Sequence, residues 1–404
     1  MLNRVNKALG WFDERVWLLL FAMLVFRFGQ GLYFPFSTIY FHNVLGIPLP
    51  LVGVGLAFLA AASVASGLIS GPLADRFGRR LPMLLAVGGS AVSFFLFSVV
   101  DGLAGYLAVS VLAGLMGSAM FDAARNAMVA DVTPPERRSR AYGLVRVGGN
   151  VGWALGPMTA GLVSAAGGGT GETYRMLFTG TAVLSALVVA ALAIRVKESL
   201  PGAATASRKA PASGLREALS DVRLLVLLGS GVLLYYVFTQ DWQTLPIYAR
   251  NFVGVPDGKI GLFLGANGVM VILFQLPISY IIDRISKIVA LLAGAALFAL
   301  SSATLLFTDS FLGILVAFAG FFTLAEMILE VAGPALAAGL APIRLRGTYL
   351  ALFGSCFGVS YGLSPIVAGA LLQARLPDVI WTIQLIAAAM AIIGLIALTL
   401  LSKA

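Results

Sequence analysis

Twelve runs of apolar residues, each about as long as a bilayer is thick, divide this chain. They fall at 17–40, 50–72, 81–100, 104–130, 141–165, 174–195, 222–248, 259–282, 288–308, 311–335, 348–372 and 379–401. About 20 helical residues cross the hydrocarbon core. In lipid each backbone N–H and C=O must be satisfied within the fold, so runs of this kind are helices. The expected fold class is all-α integral membrane, with twelve transmembrane helices. Composition agrees: 59% of residues are hydrophobic and 11% charged, against about 25% charged in a soluble domain. The first run, Trp17 to Tyr40, is longer than a signal-peptide core and lacks a small-residue cleavage pattern after it. It reads as a retained span.

The charges are placed, not merely scarce. Of the 27 lysines and arginines, three lie inside spans, and Arg175, Arg250, Lys259 and Arg375 lie in the segments assigned to the outside. The other twenty lie in the inside segments. That bias puts both termini in the cytoplasm of a multi-pass cell-membrane protein. It also accounts for the net charge of +9 without a nucleic-acid partner. The longest polar stretch, Lys197 to Asp221, contains PGAATASRKAPASG and reads as a flexible cytoplasmic linker. It separates a first six-helix domain, 1–196, from a second, 222–404. Residues Leu215–Arg223 are amphipathic enough to lie along the membrane surface. The single cysteine, Cys356, excludes an internal disulfide.

The halves repeat each other. Asp75-Arg76 recurs as Asp283-Arg284, 208 residues on; PERRSRAY (Pro135–Tyr142) recurs as PIRLRGTY (Pro342–Tyr349), 207 on. GWALGPMTAG (Gly152–Gly161) recurs within VSYGLSPIVAG (Val359–Gly369), with Pro157 on Pro365 and Gly161 on Gly369, again 208 on. Six spans per half keep both copies in the same orientation. Such a parallel repeat places a substrate path between two pseudo-symmetric bundles.

The loop after span two reads GPLADRFGRR. Its Gly71, Asp75, Arg76, Gly78, Arg79 and Arg80 match G-x-x-x-D-R-x-G-R-R/K, and here the chain resembles the major facilitator superfamily over essentially its whole length. The resemblance implies that this loop latches the cytoplasmic side. Asp75 would be the latch acid, docked on a helix N-terminus, where negative charge is favoured. Arg76 and Arg79 would bridge to acids such as Asp131. In span five, GGNVGWALGPMTAG (Gly148–Gly161) resembles the antiporter motif of drug:proton exporters, with Gly152, Gly156, Pro157 and Gly161 forming a glycine-flanked kink. Ala160 stands where that motif has a glycine. Ala113 stands where many drug antiporters carry an arginine, while FDAAR (Phe121–Arg125) resembles a variant of some subfamilies.

Ionisable residues inside spans are functional candidates: Arg27, Asp122, Arg125, Arg146, Asp241, Glu326 and Glu330. Asp122 and Arg125 are three apart and can pair. Arg27 and Gln30 share a face with Tyr33 nearby; Arg146, Asn150, Trp153 and Pro157 run down one face of span five. Glu326 and Glu330 are four apart on span ten, and two carboxylates on one face resist joint ionisation. TLAEMILE also resembles the span-ten segment of drug:proton antiporters. The expectation is that Glu326 carries protons, helped by Glu330 and Asp122. Around Asp241, Tyr236, Gln240 and Trp242 read as a pocket for cationic amphiphiles.

The expected function is a proton-coupled antiporter, not an enzyme, that exports hydrophobic or amphipathic small molecules by alternating access. Protons are its coupling ion, and no metal or other cofactor is called for. The resemblance implies a monomer. The alternative is an exporter or flippase of a lipid, sugar or organic anion on the same fold, with Arg27, Arg125 and Arg146 as substrate ligands.

Overall fold

The computed structural model describes residues 12–134, 138–199, 212–342 and 345–401, apart from the side chains at 68, 71, 72, 75, 138–140, 212–214, 346 and 347. Each apolar run is a helix. Span one is Glu14–Ile39, prolonged by a π-helical turn at Tyr40–Val44; spans two and three are Leu49–Phe77 and Arg80–Val99. Span four comes in two pieces, Leu103–Leu115 and Ser118–Val132, and spans five and six are Arg138–Ala166 and Gly171–Arg195. Spans seven, eight and nine are Val222–Asn251, Asp257–Arg284 and Lys287–Leu306. Span ten joins Phe311–Leu315, a π-helical segment Val316–Phe322 and Thr323–Leu340; spans eleven and twelve are Arg346–Gln373 and Pro377–Leu401. Among the described residues, eleven helical segments are long and apolar enough to cross a bilayer. Span five is as long as the others, but Arg146, Asn150 and its glycines make it more polar.

Helix ends are built as the chemistry requires. The side chains of Thr170, Asp221 and Ser310 each accept a first-turn N–H, from Thr173, Arg223 and Gly313, satisfying donors that have no partner inside the helix. Span four breaks at Gly117. The carbonyls released there are met by serines of neighbouring helices: the Ser66 hydroxyl donates to Leu115 O at 2.6 Å and Ser90 to Met116 O at 2.9 Å.

The chain forms two compact units, one of 1–34 with 61–208 and one of 35–60 with 209–404. The outer ends of spans one and two (inner and outer follow the charge bias) therefore group with the second unit rather than with 1–196. The cause is backbone proximity. A Cβ on Gly53 would lie 2.4 Å from Pro365 O, and one on Gly369 2.4 Å from Leu49 O. Asn43 and Asn251, 208 residues apart, exchange two side-chain hydrogen bonds of 2.8 and 2.9 Å. Of the expected linker, 200–211 lies outside the described residues. Ala212–Ala218 is a short helix whose Ala218 packs with Leu224, Leu345 and Tyr349.

The repeat is visible in side-chain detail. In the first unit, span five lays glycines on span one: Cβ atoms on Gly148, Gly152 and Gly156 would lie 2.6, 2.4 and 2.6 Å from the carbonyl oxygens of Leu20, Leu24 and Phe28. Adding 208 to the first two gives Cys356 and Ser360 of span eleven, facing Leu228 and Val232 of span seven; the third counterpart, Ser364, has a buried hydroxyl with no hydrogen-bond partner among the described residues. The Ser360 hydroxyl donates to Val232 O at 2.9 Å, and Cys356 Sγ lies 3.5 Å from Leu228 O. At these two positions one unit closes the seam by omitting the side chain, the other by hydrogen bonding a small one to the same carbonyl.

Candidate functional site

In the first unit the break in span four starts a new helix at Ser118, and that start organises a polar cluster with span one. Arg27 donates to Gln30 Oε1 at 2.7 Å, to Ser118 Oγ at 3.3 Å and to Asp122 Oδ2 at 2.8 Å, while Gln30 donates to Ser118 Oγ at 2.7 Å. Arg125 Nη1 lies 3.1 Å from Asp122 Oδ1 and also reaches Met23 Sδ. One carboxylate thus sits between two guanidiniums, leaving the cluster with a net positive charge. Arg146 is exposed and Asn150 half-buried on the neighbouring span five.

Tyr33 does not join this cluster. It is 1% exposed, and its ring packs on those of Phe34, Phe94, Phe97 and Phe178, with centroids at 4.8–5.5 Å. That is a core position. The helix of span five runs unbroken through Pro157, whose ring fills the space where Gly31 would carry a Cβ. Gly161 is buried.

In the second unit the acids of span ten follow directly on its π-helical segment, a feature that recurs at functional sites. Both are half-buried, and they take different partners. The Asn267 amide of span eight donates to Glu326 Oε2 at 2.7 Å and to Thr323 Oγ1 at 2.9 Å, while the Tyr235 hydroxyl of span seven donates to Glu330 at 3.1 Å. Rings surround them: Tyr235 packs on Phe238, Phe353 and Phe357, Phe238 stacks on Phe322, and Trp242 meets Phe318 edge-on.

The expected pocket around Asp241 is corrected. Tyr236, Gln240 and Asp241 are 7%, 0% and 0% exposed. Tyr235, Phe238 and Trp242 lie three and four positions apart on one helical face, and the phases of Gln240 and Asp241 turn them away from it, into the bundle. Only Trp242 of that expected set keeps an accessible surface.

At the inner side, Gly71 and Asp75 have surroundings that lie outside the described residues, so the latch reading of Asp75 does too. Arg79 Nε lies 3.1 Å from Asp131 Oδ2, which also accepts from Ser199. Arg76 is exposed, with its guanidinium over the Phe77 ring, rather than on Asp131. One carboxylate that docks on a helix N-terminus here is Glu198. The backbone N–H groups of Arg79 and Arg80, at the start of span three, donate to its two oxygens at 2.9 and 3.0 Å. Gly78 makes room, with φ of +88° and a Cβ position 2.3 Å from Glu198 Oε2. The Arg80 side chain donates to Ala193 O.

Sequence reasoning missed Ser118, Asn267 and Glu198. The first two carried a usable signal, a lone polar residue inside an apolar run; Glu198 lies in the linker and carried none.

The chain is similar to known proteins and solved structures. Among similar proteins are a Na(+), Li(+), K(+)/H(+) antiporter of Planococcus maritimus, 27% identical with 82% of this chain and 84% of that one covered, and the multidrug resistance protein MdtH of Yersinia pestis (strain Pestoides F), 26% identical with 83% and 80% covered. The structure superimposes on a POT family transporter solved with 5-aminolevulinic acid, at a TM-score of 0.77, 15% identity and coverage of 97% and 96%. It also superimposes on a bacterial homologue of the human lysosomal transporter Spinster, at 0.77, 12% and 96% of both chains. The family description Major Facilitator Superfamily matches residues 19–256 and 242–403, and this chain, a helical membrane transporter by fold and by kinship, belongs to that superfamily.

Proposed function

We propose that this chain is a proton-coupled antiporter that exports hydrophobic or amphipathic small molecules, preferably cationic ones, by alternating access. One observation carries the reading: span ten holds two half-buried carboxylates, Glu326 and Glu330, hydrogen-bonded to neutral donors and walled by aromatic rings. A carboxylate held in this setting can exchange a proton for a cation. Asn267 and Tyr235 orient the two carboxyl groups, and the rings supply apolar and cation–π contact to a substrate. Protonation from outside neutralises the acids and releases the substrate; loss of the proton to the cytoplasm resets the site. Asp122, held by Arg27 and Arg125, is a structural charge in this scheme, a change from its expected part in proton coupling. The names of the two relatives, one an antiporter of cations and protons and one a multidrug resistance protein, support the same class.

The anion-exporter alternative draws on Arg146, which is exposed, whereas Arg27 and Arg125 already serve Asp122. The deciding assay is flux of a lipophilic cation into inside-acid proteoliposomes. Wild type accumulates the probe and Glu326→Gln loses the pH-driven component. Full pH-driven flux in Glu326→Gln, or competition by organic anions alone, refutes the proposal.

A further inference from the structure

Asp241 is the buried acid that this mechanism leaves unused. It is fully buried on span seven. Its Oδ1 lies 2.7 Å from Gln384 Nε2 of span twelve, and its Oδ2 is buried with no hydrogen-bond partner. Gln384 Oε1 in turn faces the Ser302 hydroxyl of span nine at 3.0 Å, and Ser302 also lies 3.0 Å from Phe298 O, one helical turn back.

The charged groups on the packed helices are engaged elsewhere. On span nine, Lys287 bonds Asp283 and Ile282 O. Glu326 and Glu330 of span ten take Asn267 and Tyr235. Span eight's Asp257 takes Arg250 from the end of span seven, and Arg223 at its other end takes Asp221. Asp378 lies in the first turn of span twelve, nearly two turns before Gln384. Span eleven adds the neutral Tyr361, whose carbonyl accepts from Gln243. No ion pair to Asp241 occurs among the described residues.

Two things fail to balance if Asp241 is ionised. A carboxylate removed from water without a counter-charge is far more costly than a neutral acid. And Ser302, with one proton, faces two acceptors. Turning the Gln384 amide end for end resolves both. Gln384 Nε2 then donates to Ser302 Oγ, and Ser302 donates to Phe298 O. Gln384 Oε1 accepts an O–H from Asp241, and 2.7 Å is about the usual O–H···O separation.

We propose that Asp241 is a proton-binding site, occupied by a resident proton, whose presence Gln384 registers by the end of its amide that faces the acid. With the proton bound, one directed chain of donors, Asp241 to Gln384 to Ser302 to Phe298 O, ties spans seven, twelve and nine together. Without it the chain is broken at Ser302 and a bare charge is left inside the bundle. This proton is distinct from the one that cycles at Glu326 and Glu330, because the site has no exposed surface and its partners lie on spans twelve and nine rather than on spans eight and ten. Its function is to hold the second unit together below a limiting alkaline pH.

The test uses the full-length protein in wild-type, Asp241→Asn and Ser302→Ala forms. Expected at neutral pH is an infrared band of a protonated carboxyl that exchanges slowly with deuterium and is absent from Asp241→Asn. The thermal midpoint of wild type falls by several degrees from neutral to strongly alkaline pH, and that of Asp241→Asn stays level. Should Asp241→Asn not fold, Ser302→Ala decides, since cutting the chain must shift the band and bring the alkaline fall to lower pH. Absence of the band, an equal alkaline fall in Asp241→Asn, or an unmoved band in Ser302→Ala overturns the proposal. So does stabilisation of wild type by sodium, lithium or potassium at alkaline pH that Asp241→Asn lacks, which would make the site one for a metal cation. Glu326→Gln keeps the band, so a failure here is separable from a failure of the transport mechanism.

Discussion

Replacing Gly152 by alanine tests why span five is rich in glycine. The new Cβ would lie 2.4 Å from Leu24 O, 2.7 Å from Phe28 N and 3.0 Å from Arg27 Cβ. Ordinary contact begins near 3.4 Å, so the two helices must part by about 1 Å, a gap that forfeits a quarter to a half of each dispersion contact along the seam. Overpacking of this kind costs about 1–3 kcal/mol. The obstructing atoms are main chain and cannot rotate away, which places the cost in the upper half of that range. Alanine returns about 1 kcal/mol in helix propensity, leaving a net loss of about 1–2 kcal/mol. For a unit of this size each kcal/mol is about 2–4 °C. The control is Gly180→Ala in span six, where an added Cβ meets nothing within 4 Å, so the same exchange should be neutral or slightly stabilising. Both variants are assayed by thermal unfolding of purified protein in detergent. If Gly152→Ala is as stable as Gly180→Ala, close approach is not the reason for the glycine, and the account of the span one–span five seam is wrong.

Other outcomes follow from the same geometry. Asp122→Asn leaves Arg27 and Arg125 facing each other without their shared carboxylate. Breaking a buried pair costs about 3–5 kcal/mol; with the Asp122 side chain 30% exposed, about 2–3 kcal/mol is expected, measured as a lower unfolding midpoint that Asp122→Glu partly restores. Asp221, outside the bilayer at the head of span seven, reports on acid stability. Burial pushes its carboxyl up, but the Tyr349 hydroxyl together with the side chain and N–H of Arg223 outweighs burial and holds it below the usual carboxylate value. Its contribution is therefore present above the unfolded value of about 3.9 and is lost as pH falls through the lower folded one. A midpoint-against-pH curve should lose part of its acid limb in Asp221→Asn. An unchanged limb would remove Asp221 from the account.

Much of this was readable in one dimension because membrane physics leaves few options. A run such as Leu103–Val132 must be helical in lipid, and Arg79 near Asp131 was foreseeable from the loop signature. The pairing of Asp122 with Arg125 followed from helical spacing alone. Harder were positions where phase decides the neighbour. Tyr235 and Asp241 lie six residues apart on the same helix, yet one reaches Glu330 and the other Gln384, and no local pattern says which face of span seven meets span ten.

What the sequence determined by itself was the helical spans, their charge bias and the two-fold repeat, since each depends on composition and periodicity along the chain; the family was legible as a resemblance of the loop motif GPLADRFGRR. What only the tertiary structure decided was which helix each polar side chain meets. Asn267 on Glu326, Glu198 on the head of span three, Tyr33 in the core and Asp241 against span twelve are all contacts between segments distant in sequence. The rotation of each helix about its axis, which selects those contacts, is set by packing against its neighbours, and a single strand of letters does not contain the neighbours.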